Sequence, residues 1–313
     1  MPAFPTRGEL PVWRSLLYVP AHVERFVERA HTRGADAVIL DLEDSVPRPY
    51  KEEARRRACQ AIGQLAQAHV DAIVRINSSL RLAVRDLEAV VQPGLVAVAV
   101  PKTLGAVHIR MLSAAVAELE AERGLAIGSV RFIGMIETID ALCQAAEIAM
   151  ADPRMVALIL GTEDFSAEAG MDPDGEGLLH AKLQLVLAAR AARVLPLGLA
   201  VSVADYADTA RLAEIARRSR RLGFEGATCV HPSVVPVLNE AFSPSRDEVQ
   251  DARRLVEAYE QAAAQGTGAL SVAGRMVDEP AVRRARRLLE MERRLRERVG
   301  TRLQGGEAGH GRG

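Results

Sequence analysis

Short runs of Val, Ile, Leu and Ala recur along the chain, each followed by a longer stretch whose apolar residues fall three and four apart. The runs are residues 13–19 (WRSLLYV), 37–42 (AVILDL), 72–77 (AIVRIN), 95–100 (LVAVAV), 131–136 (RFIGMI), 156–160 (VALIL), 197–201 (LGLAV) and 227–230 (ATCV). Near-continuous aliphatic runs of this length suit strands covered on both faces. The intervening segments, such as 51–68 and 104–123, have a polar face opposite an apolar one and read as amphipathic helices. Gly34, Gly124 and Gly223 follow three helical stretches, and Asp205 and Asp208 precede another, the residue types that stop and start helices. Strand–helix alternation implies parallel pairing with right-handed crossovers. Eight units over about 220 residues have the size of a (β/α)8 TIM barrel. An open doubly wound sheet is the alternative, but no GxGxxG follows the first run.

Beyond the eighth run the pattern changes. Residues 233–241 and 246–264 read as helices, a Gly-rich hairpin-like stretch covers 266–280, and a last Arg-rich helix spans 281–299. The expected organisation is a barrel domain over 13–242, a C-terminal helical lid extension over 243–300, and a disordered tail over 301–313.

Composition narrows the function classes. The chain has 313 residues, 49% hydrophobic and only 4% aromatic, so its core must be aliphatic. A formal net charge of −1 argues against nucleic acid or an anionic membrane as the main partner. The Arg-rich final helix interleaves Leu and Glu and reads as a solvated amphipathic face. Cys59, Cys143 and Cys229 are odd in number and lack ligand spacing, which favours a reducing compartment. With neither a signal-peptide pattern nor a membrane-length apolar run, a cytoplasmic location is expected.

Barrel enzymes react at the carboxyl ends of their strands. Those ends carry Asp41, Glu43 and Asp44; Arg75 and Asn77; Lys102; Glu137; Glu163 and Asp164; Ser202; and His231. Glu137 and Asp164 end consecutive strands, which lie about 4.8 Å apart. Two carboxylates so placed either share a Mg2+ ion, which takes one or two protein carboxylates, or merely cap helices. Arg75 lies inside an apolar run, so its guanidinium should face an anion: a substrate oxygen, an internal partner in Asp41 or Glu43, or both. For His231 a structural hydrogen bond competes with a general-base role.

These residues stand in motifs that resemble the citrate lyase beta-subunit-like, or HpcH/HpaI aldolase, superfamily of acyl-thioester lyases. RSLLYVPAHVERF (14–26), GADAVILDLEDSV (34–46), VRIN (74–77), PK (101–102), IGMIET (133–138), LGTEDFSAEAG (160–170), LGFEGATCVHPSVVPVLNEAFSPS (222–245) and GRMVDEP (274–280) follow in order. The first loop, VPAHVERF, departs from the family's VPG. The resemblance implies Mg2+ held by Glu137 and Asp164. Arg75 and Glu137 would serve in substrate binding and catalysis, with Arg14 as a contact to the thioester carrier's phosphate. Asp278 would be a catalytic acid on the lid, serving a neighbouring subunit of a homo-oligomer, a trimer or its multiple. The implied reaction is retro-Claisen cleavage of a malyl-, citramalyl- or citryl-type thioester, carried on coenzyme A or on an acyl-carrier protein. A citryl-carrier-protein lyase subunit, an acyl-CoA thioesterase and a non-catalytic assembly barrel are the competing readings.

Overall fold

The structure is a computed structural model; it describes residues 10–173, 175–201, 208–264, 270–272 and 275–309. The chain divides into two compact units, Met1–Phe242 and Ser243–Gly313.

The first unit is built on eight parallel strands: β1 (Ser15–Pro20), β2 (Ala37–Asp41), β3 (Asp71–Arg75), β4 (Leu95–Val100), β5 (Arg131–Ile136), β6 (Met155–Leu160), β7 (Leu195–Leu197) and β8 (Ala227–Cys229). Each pairs with its sequence neighbour from β1 to β7, and β8 pairs with β1. The ring is nearly closed by a parallel bridge between Leu197 and Gly226, with the Gly198 N–H donating to the Gly226 carbonyl at 2.8 Å. Gly226 is required there, because a Cβ would stand 1.7 Å from the Trp13 carbonyl oxygen.

Helices cover the outside: α1 (Glu24–Val27), α2 (Lys51–Gln67), α3 (Leu80–Val90), α4 (Ala106–Glu122), α5 (Ile139–Cys143), α6 (Ala145–Ala149), α7 (Thr162–Ala169), α8 (Glu176–Ala191), α9 (Thr209–Arg221) and α10 (Val234–Ala241). The Asp208 side chain accepts the Arg211 N–H and caps α9, whereas Asp205 lies outside the described residues. Two aliphatic cores result. One lies between strands and helices and includes Val38, Leu40, Ile62 and Val74. The other fills the barrel interior with Leu16, Ile39, Ile73, Ala97, Ala99, Ile133 and Ile159. Trp13 belongs to that interior cluster, its indole N–H donating to Asp71 at 2.6 Å where β3 begins.

Several strands begin or end one or two residues from the expected bounds, and one differs more. The seventh strand is Leu195–Leu197, not residues 197–201. Pro196 hides it, since proline lacks a ladder donor, yet its carbonyl accepts the Glu225 N–H at 3.0 Å. Ser202 lies outside the described residues.

The second unit contains α11 (Arg246–Ala264), an antiparallel hairpin of β9 (Leu270–Val272) and β10 (Arg275–Val277), and α12 (Glu279–Gly309). The last helix continues through residues 301–309, where an unstructured tail was expected. Gly300 lowers helix propensity by about 1 kcal/mol relative to Ala but does not end a helix by itself.

Candidate active site

Side chains alternate between the two faces of a strand. The inward column of β2, Ala37 and Ile39, therefore ends in Asp41, and that of β5, Ile133 and Met135, is followed by Glu137. Ile73 of β3 is followed in the same column by Arg75, and the parallel register sets Asp41 opposite Arg75. The guanidinium grips this carboxylate through Nε–Oδ1 at 2.6 Å and Nη2–Oδ2 at 2.7 Å. Its Nη1 stands 3.1 Å from Glu43, and its Cζ lies 5.2 Å from the centre of the Tyr18 ring. Burial would raise the Asp41 carboxyl, but Arg75, the Ser45 hydroxyl and the Glu43 N–H outweigh it and hold it below the ordinary value. The same pairing holds Arg75 above its ordinary value in spite of burial. Burial pushes the Tyr18 phenol up, against the pull of Arg75.

Glu43 is only 4% exposed, and neither carboxylate oxygen receives a hydrogen bond from the described residues. Burial pushes its carboxyl up to about 7, although Arg75 and Lys102 pull it down.

The opposing side comes from β4, β5 and α7. Glu137 is buried, and its Oε2 accepts the backbone N–H of Lys102 at 2.6 Å. Lys102 holds φ at 45°, the left-handed region that residues other than glycine rarely occupy. Its Nζ stands 3.6 Å from Glu43, 3.6 Å from Asp44 and 3.5 Å from Asp164. Burial would lower the Lys102 ammonium, but these carboxylates raise it overall. Burial, with Asp164 adding to it, pushes the Glu137 carboxyl up against the Lys102 amide. Asp164 sits in the first turn of α7, where a helix N-terminus favours an anion.

Arg75, Glu137 and Asp164, named from sequence, thus line one cavity of about 960 Å3, together with Tyr18 and Asp41. The internal partners foreseen for Arg75 are both present, Asp41 bonded through two nitrogens and Glu43 3.1 Å from the third. His231 reaches the same cavity, with its Nδ1 2.7 Å from the Ser233 hydroxyl. Asp278 lies in the second unit, exposed, where its Oδ1 accepts the Ala281 N–H at 3.1 Å as the cap of α12.

Arg14 requires a correction. It precedes β1, at the strand's amino end, and binds the buried Asp36 through Nε–Oδ2 at 2.8 Å and Nη2–Oδ1 at 2.9 Å. It is absent from the cavity lining, so the contact expected to the thioester carrier gives way to a structural ion pair. Tyr18 and Gly161 went unnoticed in the sequence. The alternation Leu16–Tyr18 could have pointed to the first, whereas the second shows only in three dimensions.

The donor set suits a hard divalent ion. Carboxylate oxygens are the ligands Mg2+ prefers, and it needs only one or two from protein. Gly161 leaves the space that Glu137 occupies, since a Cβ there would stand 2.3 Å from Glu137 Cγ and 2.5 Å from its Oε1. Among the described residues no group of three or more His, Cys, Asp or Glu is arranged to hold a metal, so waters and substrate would complete the shell. Glu137 and Asp164 fit Mg2+ on these grounds.

Known proteins share this architecture. The model of the HpcH/HpaI aldolase/citrate lyase family matches residues 14–232. The chain belongs to that family. Citrate lyase subunit beta of Escherichia coli is 34% identical over 279 residues, covering 88% of this chain and 92% of its own. A (3S)-malyl-CoA thioesterase of Cereibacter sphaeroides is 33% identical over 279 residues, covering 88% and 93%. Protein CitE of Mycobacterium tuberculosis, solved with magnesium, acetoacetate and coenzyme A, superposes with a TM-score of 0.71 at 31% identity, covering 91% of this chain and 99% of that one. The matched residues run from just before β1 to beyond β8. Among the described residues no helix is long and apolar enough to cross a membrane.

Proposed function

We propose that this family member is a Mg2+-dependent carbon–carbon lyase. Its substrate is a 3-hydroxyacyl thioester of the malyl, citramalyl or citryl type, split by retro-Claisen chemistry into an oxo-acid and an acyl thioester. The observation that carries this reading is the convergence of Glu137, Asp164 and Arg75 on one cavity at the strands' carboxyl ends. The magnesium, acetoacetate and coenzyme A bound by the Mycobacterium tuberculosis relative support it.

Glu137 and Asp164 would hold Mg2+, which when bound would supply Lewis-acid polarisation of the hydroxyl and carboxylate oxygens of the oxo-acid portion, so that the hydroxyl proton is lost to solvent as the carbon–carbon bond breaks. Arg75 is fixed by two hydrogen bonds to Asp41, which leaves three of its five N–H groups to other partners. From there it stabilises the negative charge that develops on the enolate oxygen of the departing acyl thioester. A pre-oriented guanidinium does this without reorganising during the reaction. Asp278 delivers the proton to the enolate carbon, and in the condensing direction removes it. That acid is contributed by a neighbouring subunit of a homo-oligomer. Arg14 has no part in this chemistry and instead ties β1 to Asp36.

The test is an assay of the purified chain with Mg2+ and malyl-CoA, citramalyl-CoA or a carrier-bound citryl group, measuring oxo-acid and free thiol separately. Oxo-acid without free thiol from a coenzyme A thioester is expected. Free thiol with the intact hydroxy acid would establish the thioesterase reading, which the 33% identity to the Cereibacter sphaeroides enzyme favours. Oxo-acid from the carrier-bound group alone would make the chain a citrate lyase subunit. No product from any of the three would leave the assembly-barrel reading.

A further inference from the structure

Lys102 touches both sides of the carboxylate cluster through two different groups. Its backbone N–H is committed to Glu137 at 2.6 Å, while its ammonium stands 3.5–3.6 Å from Glu43, Asp44 and Asp164. The amide contact is of hydrogen-bond length and comes from a left-handed backbone at φ 45°, so it belongs to the rigid frame. The ammonium contacts are longer than N–H···O bonds and are shared among three carboxylates, so they supply charge without a fixed partner. Arg75 shares two of these carboxylates, its Nη1 standing 3.1 Å from Glu43 and 3.9 Å from Asp44, while its other two nitrogens are bonded to Asp41. Among the described residues Lys102 is the cation paired with Asp164.

We propose that the Lys102 ammonium is the resident counter-ion of the metal-free site and gives way when a divalent cation enters. Its backbone amide meanwhile keeps Glu137 in place. Lys102 is thus a positioning residue for Glu137 and a tethered competitor for the cation site. A dication beside Asp164 would repel the ammonium, and loosely shared contacts let the side chain leave at small cost. The inference rests on the reading of Glu137 and Asp164 as the Mg2+ ligands.

Titration calorimetry of Mg2+ into the full chain tests it, comparing the wild type with Lys102→Met, which keeps the amide and most of the stem but removes the charge. The variant is expected to bind Mg2+ at least about fivefold more tightly, a change of about 1 kcal/mol. An unchanged or weaker affinity would overturn the proposal. Should the variant fail to fold, the wild type provides a second readout. The chain has three lysines, Lys51, Lys102 and Lys182, so isotope-labelled dimethyl-lysine signals can be followed singly by NMR. The Lys102 signal should narrow as Mg2+ saturates the site, and a linewidth insensitive to Mg2+ would contradict displacement. A wild type that takes up no Mg2+ overturns the metal reading itself, whereas uptake with an unaltered Lys102→Met affinity overturns this inference alone.

Discussion

Glu137 owes its place to a missing side chain. Gly161 follows β6, and any Cβ there would collide with the Glu137 carboxyl group. Gly161→Ala should therefore leave the barrel folded, since φ at this residue is −77° and suits alanine, yet weaken Mg2+ binding by tenfold or more in calorimetry. Wild-type affinity in that variant would mean that Glu137 is not a ligand. Glu43 makes a second prediction, about pH. Its carboxyl rises from an ordinary 4.5 to about 7 in the folded protein, because burial disfavours the charged form. The stability linked to this group is thus fully present below 4.5 and is lost as the pH climbs through about 7. In metal-free protein, Glu43→Gln should match the wild type near pH 4 and exceed it by about 3 kcal/mol at pH 8 in denaturant unfolding. A gap that does not change with pH would contradict the burial argument. At this scale the sequence was partly transparent. Arg75 in an apolar run announced a buried anion partner, because an unpaired guanidinium there would be too costly. Arg14 misled, since a motif does not say which end of a strand faces the substrate.

Whole elements were easier to read than their ends. The aliphatic runs of β4 and β5 agree residue for residue with the strands, because parallel strands covered on both faces leave little room for polar interruption. β7 escaped because a proline stands in its middle and the apolar run continues beyond it. The crossover from α4 to β5 and β6 depends on a feature that no pattern reveals. Arg154, before β6, donates to Glu120 near the end of α4 at 2.8 and 2.6 Å, and the Gly128 and Val130 N–H groups donate to the same carboxylate. Burial alone would raise that carboxyl, but these donors hold it down at about 2. Its stabilising contribution is present above the ordinary carboxylate range and is lost as the pH falls toward 2. Glu120→Ala should cost about 3–5 kcal/mol, because it strands Arg154 in the interior. Thermal unfolding near pH 7 measures this, and a loss below 1 kcal/mol would contradict a buried, load-sharing pair. The cap of α12 offers a cleaner separation of roles. Asparagine caps a helix about as well as aspartate. Asp278→Asn should therefore leave the melting temperature unchanged and remove nearly all turnover in the oxo-acid assay, and an unaffected rate would move the acid elsewhere.

For the molecule as a whole, a nearly closed ring of parallel strands collects residues far apart in sequence at one mouth. Asp41, Arg75, Glu137 and Asp164 line one cavity, with Lys102 joined to Glu137 and Asp164; they come from successive β/α units and meet because each stands at or just beyond the carboxyl end of its strand. That principle makes the candidate site legible in the sequence, because the ends of the aliphatic runs mark the mouth more surely than any single motif does. The electrostatic balance of the mouth was not legible. It depends on which carboxylates are already neutralised, as Asp41 is by Arg75, and which, like Asp164 among the described residues, face the loosely held Lys102 ammonium. Glu137, after β5, and Asp164, after β6, are proposed to hold one divalent cation together. Crystals soaked in Mn2+ as a Mg2+ substitute and measured at its absorption edge test it directly. One anomalous peak is expected within about 2.3 Å of a carboxylate oxygen from each of Glu137 and Asp164; a peak on other ligands, or none at the barrel mouth, would overturn the metal assignment.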